Sequence, residues 1–247
     1  MRKTKGLWIF LMICSLILSC NSPKRQKKIN DGKLFEKLKV QKGYLNALEL
    51  KRLEQDFSLK FLDKYDLSGY DEEDTLAYFV RSDSYVWIAS CYLGEDDDRD
   101  NPFICLKETN EKGFKMIKHG SIPVVFGECS YDLDKLIIRA GDYILVSQKG
   151  DGSIYCEDLP LVFTTDGKEV QKSDDQFRII TRNAPYENYI VFERDFKIQS
   201  KNLEELVIHV NERKLDTEME QEIGFRRYDL RFVIRNNTIY FQDTIFK

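Results

Sequence analysis

Two hydrophobic periods divide the chain. Between residues 45 and 65, Leu45, Leu48, Leu53, Phe57, Phe61 and Leu62 recur at spacings near three and four. That spacing predicts one amphipathic helix, closed by Gly69. From Thr75 onward the period falls to two, and β-branched and aromatic residues dominate. Leu76–Arg81 and Tyr85–Leu93 read as strands about Ser82-Asp83-Ser84. The second is apolar on both faces: Tyr85, Trp87, Ala89 and Cys91 on one, Val86 and Ile88 on the other. A strand of that kind belongs inside a core.

The alternation continues to the end of the sequence. Phe103–Glu108 faces Phe114–Lys118 across Asn110–Gly113, and strands are predicted at Lys135–Arg139, Tyr143–Gln148 and Ser153–Cys156. Leu161–Thr164 meets Glu169-Val170 across Asp166-Gly167, a strong hairpin signal. Phe177–Thr181, Tyr189–Arg194 and Leu206–Val210 follow. In the last hairpin Tyr228, Leu230, Phe232 and Ile234 alternate with charged residues and Val233, then Asn236-Asn237 turns the chain toward Ile239 and Phe241. Asparagine tolerates the left-handed conformation such a turn needs. Lys214–Glu222 fits a short helix or a loop. Short strands at this turn spacing predict a mainly β fold: an antiparallel β-sandwich or barrel-like domain with one N-terminal amphipathic helix. No repeat is strict enough for a propeller.

The first residues follow neither period. Arg2, Lys3 and Lys5 precede an apolar run from Leu7 to Leu18, and Pro23, Lys24 and Arg25 come soon after it. The run has the length of a secretory signal and falls short of the roughly 20 residues of a membrane span. Ile17-Leu18-Ser19-Cys20 resembles the lipobox of bacterial lipoproteins. The resemblance covers only the leader. It implies cleavage before Cys20 and acylation of Cys20, giving a signal peptide at 1–19, a lipid-anchored basic linker at 20–33 and a β-rich domain at 34–247. Several acyl chains anchor stably, since each buried methylene contributes about 0.8 kcal/mol. Ordinary secretion with Cys20 unmodified is the competing reading. The linker carries Lys24, Arg25, Lys27 and Lys28 rather than acidic residues. By the lipoprotein sorting pattern, the domain then faces the periplasm. The basic stretch suits either an anionic lipid surface or a solvated tether.

Export changes the meaning of charge and cysteine. Without residues 1–19 the chain keeps 35 Lys and Arg against 42 Asp and Glu, a formal charge of −7. An exported, mildly acidic chain is a poor candidate for nucleic acid. Cys91, Cys105, Cys129 and Cys156 remain after the leader and Cys20. In an oxidising compartment four cysteines allow three connectivities. Cys91 and Cys105 flank Tyr92–Ile104 symmetrically, which favours that pair and leaves Cys129 with Cys156. Four reduced, buried thiols are the alternative. No CxxC occurs, and His119 and His209 are the two histidines, so no zinc site and no cofactor is expected.

Candidate chemistry is sparse. Glu95, Asp96, Asp97, Asp98 and Asp100 crowd Gly94–Pro102. Asp96, Asp98 and Asp100 have the spacing of a calcium loop, but Asn101 and Lys107 stand where a Gly and a bidentate Glu are needed. The stretch reads as a solvated tip or as a recognition loop for a basic partner. Asp71–Asp74 marks an exposed loop or helix start. There is no G-x-S-x-G elbow and no phosphate-cradling glycine loop. His119-Gly120-Ser121 lacks an identifiable orienting acid, and His209 reads as a partnered structural histidine. These features predict a lipid-anchored envelope protein that binds another protein, in the manner of an inhibitor or accessory subunit. A glycan- or peptide-processing enzyme and a structural envelope component are the alternatives.

Overall fold

The period-two segments pair into a five-stranded sheet, a ten-stranded sheet and a two-stranded ribbon. The computed structural model describes residues 32–57, 71–90, 100–109, 113–123, 128–129, 133–147, 150–151, 155–158, 160–173, 177, 179–183, 190–218 and 221–247. The five-stranded sheet is a meander of β1 (Lys42–Asn46), β2 (Thr75–Ser82), β3 (Tyr85–Ser90), β4 (Asp100–Thr109) and β5 (Gly113–Pro123). Every pairing in it is antiparallel. The ribbon joins β6 (Glu128–Cys129) and β9 (Gly150–Asp151).

The large sheet holds β7 (Ile137–Ala140), β8 (Tyr143–Val146), β10 (Tyr155–Asp158), β11 (Leu161–Thr164), β12 (Glu169–Lys172) and β13 (Ile179–Asn183). Its long members are β14 (Ile190–Asn202), β15 (Glu205–Asp216), β16 (Gln221–Arg235) and β17 (Thr238–Phe246). The order is β10-β13-β14-β15-β16-β17-β12-β11-β8-β7. Only the short β12–β17 contact is parallel. The sheet curls until its β7 end returns to β14. A Cβ on Gly141, after β7, would lie 3.0 Å from Ser200 Cβ on β14. Gly141 also has φ +61°, so both conformation and space exclude a side chain there. Tyr143 donates its hydroxyl hydrogen to the Leu203 carbonyl at 2.5 Å across the same seam. The result is a nearly closed barrel filled by side chains such as Tyr143, Leu145, Leu206, Phe232 and Ile239.

Two short helices cover the five-stranded sheet. Helix α1 (Gly32–Lys37) and α2 (Ala47–Phe57) bury Leu34, Phe35, Leu50 and Leu53, with Leu38 just after α1, on Phe79, Val86, Ile88, Ile104 and Leu106. The expected helix over 45–65 starts later, because Leu45 pairs with Ala77 as part of β1. Asn46 is the cap. Its Oδ1 accepts from the Glu49 N–H at 2.9 Å, and Glu49 Oε2 accepts from the Asn46 N–H at 3.0 Å. This reciprocal box satisfies two orphan donors of the first turn. Lys37 then clamps Glu49 from α1.

The opposite face of the five-stranded sheet packs on the outside of the barrel. Trp87, Phe103 and Cys105 meet Ile144, Val146 and Phe163. Strand β3 is therefore buried on both faces, as its sequence predicts, and so is β8. The Asp166-Gly167 turn forms with Gly167 at φ +94°, and Asn236 and Asn237 take positive φ in the last hairpin. Lys214–Glu222 is neither helix nor simple loop: β15 runs to Asp216, and β16 resumes at Gln221. Asp71–Asp74 is a turn before β2, closed by the Asp71 N–H on Asp74 Oδ2. Among the described residues no helix is long and apolar enough to cross a membrane.

Candidate functional site

Period two carries one face of β14, β15 and β16 from the barrel core toward an open end. Ile198, Phe196 and Arg194 lie along β14, and Ile208, Val210 and Glu212 along β15. On β16 the matching positions are Leu230, Tyr228 and Arg226. Register sets Arg194, Glu212 and Arg226 side by side across three strands. The Arg194 Nε–H donates to Glu212 Oε2 at 2.6 Å, and the Arg226 Nε–H donates to Oε1. The Tyr228 hydroxyl stands 3.5 Å from Oε2.

Burial makes this cluster unlike a surface ion pair. The Glu212 side chain is 1% exposed, Arg194 16% and Arg226 56%. Burial alone would raise the Glu212 carboxyl, but the hydrogen bonds and charges of Arg226 and Arg194 outweigh it and hold it below its usual range. A carboxylate held that way has no proton to give near neutral pH. Its chemistry is that of a clamp rather than of a general acid. Burial likewise raises the Tyr228 hydroxyl, keeping it neutral. One clamp donor is left over: Arg194 Nη1 is buried and, among the described residues, has no hydrogen-bond partner.

Two hollows flank the clamp. On the core side, Phe196, Ile208, Val210, Tyr228 and Leu230 join Arg194 and Ile180 around a mainly apolar cavity of about 160 Å³. On the other side Phe192, Lys214, Gly224 and Phe225 border a more open trough of about 390 Å³. The trough runs to the edge of β16. Tyr228 pairs with Phe246, and the Lys247 N–H donates to the Arg227 carbonyl. From Glu222 to Arg226, β16 pairs with β15 and, among the described residues, with no strand on its other side. Ile223 and Phe225 are 41% and 49% exposed on this stretch. Arg227 stacks its guanidinium 5.0 Å from the Phe225 ring centre.

A second charged group lies on the outer face of the same strands. His209 Nδ1 is 2.7 Å from Asp229 Oδ1, and Lys247 Nζ is 2.6 Å from the same oxygen. His209 Nε2 is 3.2 Å from Gln199 Oε1. His209 is thus a partnered strand histidine, as expected. Burial would raise the Asp229 carboxyl, but hydrogen bonds from Lys247 and His209 lower it on balance.

The residues singled out by sequence are elsewhere. Cys20, Cys91, Glu95, Asp96, Asp97 and Asp98 lie outside the described residues. Asp100 opens β4 opposite Pro123. Of the expected Cys91–Cys105 pair, the structure describes Cys105 alone, which stands across from Trp87. Cys105 is a free thiol sealed between sheet and barrel, and burial pushes it up to about 12. Cys129 pairs with Gly150 on the ribbon, and Cys156 with Arg182 on β10. His119 is exposed on β5, and the Gly120 beside it lies beneath the Phe103 ring, where a Cβ would come within 2.9 Å. Among the described residues no group of His, Cys, Asp and Glu is arranged to hold a metal ion.

The fold and this open end define a mainly β protein: a nearly closed, filled barrel with a helix-covered sheet against its flank. No protein-family model, no curated protein and no solved structure matches the chain.

Proposed function

We propose that the chain is a lipid-anchored protein of the bacterial envelope whose β domain binds another protein by strand addition at the open edge of β16. The leader supports the anchor: Ile17-Leu18-Ser19-Cys20 matches a lipobox, and a basic tether follows. The observation that carries the binding role is the edge of β16 from Glu222 to Arg226, which among the described residues has no strand beside it. It displays backbone donors and acceptors together with Ile223 and Phe225. An open edge with apolar side chains is a template for an extended partner segment, and main-chain hydrogen bonds then supply affinity. The acidic stretch Glu95–Asp98 with Asp100 remains a second contact region for a basic surface on that partner.

The test is affinity capture of the full lipoprotein from gently solubilised membranes, beside Phe225→Pro. The Arg227 carbonyl faces β17, so by strand alternation the Phe225 N–H points to the open edge. Proline removes that donor and the ring, and edge strands tolerate it. A stoichiometric partner lost in Phe225→Pro is the expected result. A partner retained at full yield, or none at all, removes the strand-addition reading. Dimerisation of the chain through this edge would reassign the partner to a second copy. Cys20→Ala should move the domain from the membrane fraction to the soluble fraction. Continued tight membrane association would make the leader an uncleaved anchor.

A further inference from the structure

The clamp holds more positive charge than it neutralises. Arg194 and Arg226 share the single carboxylate of Glu212, and both Glu212 oxygens are taken by the two Nε–H groups. Among the described residues, Arg194 Nη1 remains buried without an acceptor. A buried donor in that state is costly, and folded proteins nearly always satisfy one. Arg194 is also the cationic wall of the 160 Å³ cavity, whose other walls are mostly apolar.

We propose that this cavity is a binding site for a carboxylate carried on one phenyl-sized or branched-alkyl group. Size sets the apolar part: an apolar cavity of about 150 Å³ accepts a benzene molecule. Charge sets the polar part, because a carboxylate both supplies the missing acceptor and balances the surplus cation. A plain apolar group would fill the walls and leave Nη1 unpaired. A neutral amide would supply an acceptor and leave the charge. The same chemistry has two sources, a free small carboxylate or the C-terminal residue of a polypeptide. The site is independent of the β16 edge, since Phe225 borders the trough and not this cavity.

Ligand-observed NMR on the full chain in nanodiscs tests the site with benzoate and benzamide. Benzoate should bind saturably, with benzamide weaker by about tenfold or more. Equal binding of the two, or no saturable benzoate signal up to about 10 mM, overturns the proposal. Leu230→Trp fills the cavity from a half-buried wall position and should abolish benzoate binding while circular dichroism stays unchanged. Undiminished binding in that variant also overturns it. Should Leu230→Trp fail to fold, the comparison of benzoate with benzamide on the unaltered chain still decides. A short peptide ending in Phe, with free or amidated carboxyl, separates the sources. Competition by the free form alone assigns the site to chain termini; competition by neither assigns it to small carboxylates. Phe225→Pro should bind benzoate as the parent does, which keeps this test separate from that of the strand-addition reading.

Discussion

Glu212→Gln removes one charge from the clamp and nearly nothing from its shape. The cost follows from which arginine is left alone. Arg226 is more than half exposed and can turn its guanidinium to water, so losing its partner matters little. Arg194 cannot turn away: it is 16% exposed, packs in the wall of an apolar cavity and already has one nitrogen unsatisfied among the described residues. Breaking a buried pair costs about 3–5 kcal/mol, and the partial exposure of Arg194 places this case near the lower end, about 3 kcal/mol. For a domain of this size that lowers Tm by about 6–12 °C. Urea and thermal unfolding at pH 7 measure it. Arg226→Gln should cost less than Glu212→Gln, because Arg194 still pairs the buried carboxylate. The pH dependence has a fixed sign. The Glu212 carboxyl is held below its unfolded value, so its stabilisation is full above the ordinary glutamate range, about 4.3, and is lost on acidification through the folded value. The gap between parent and Glu212→Gln should therefore narrow below about pH 4. A loss under about 1 kcal/mol, or equal losses in Arg194→Gln and Arg226→Gln, would refute the assignment of the cost to the buried Arg194 charge.

Three further outcomes are expected. The peptide carrying Cys105 should resist maleimide at pH 8 in the folded protein and react in urea, because burial pushes the thiol up to about 12; equal labelling in both states would contradict the sealed position. Asp229→Asn should cost about 2 kcal/mol at neutral pH by weakening its charged hydrogen bonds to His209 and Lys247. That difference should shrink on acidification, since the Asp229 carboxyl is also lowered; a gap that widens in acid would reverse the sign. Gly141→Ala should destabilise by about 1–2 kcal/mol through its left-handed conformation alone, with the Ser200 contact adding to it in thermal melts.

The clamp was partly legible. Arg194 interrupts Ile190, Phe192, Phe196 and Ile198 at even positions, and Glu212 extends Leu206, Ile208 and Val210 in the same way. A charged residue on an apolar face is the signal. Ending the strands at Arg194 and Val210 hides it, as does leaving Lys214–Glu222 undecided between helix and loop. That three such residues meet depends on register between strands far apart in sequence, and alternation within one strand says nothing of its neighbour's register. The place of Cys105 has the same origin. Symmetric spacing about Asp98 suggested that Cys91 and Cys105 face each other, whereas register puts Cys105 across from Trp87 as a buried free thiol.

Local chemistry determined what short-range physics controls. It set the β class, the turns at Asp166-Gly167 and Asn236-Asn237, and the burial of β3 on both faces. It also set the leader's resemblance to a lipobox. These depend on side-chain alternation and on which residues tolerate positive φ, and both are written residue by residue. Only the tertiary structure decided that the large sheet curls onto itself at Gly141 and Ser200, and that one carboxylate serves two arginines beside an apolar cavity. Those features come from sheet curvature and from register between strands, which arise when distant segments pack together.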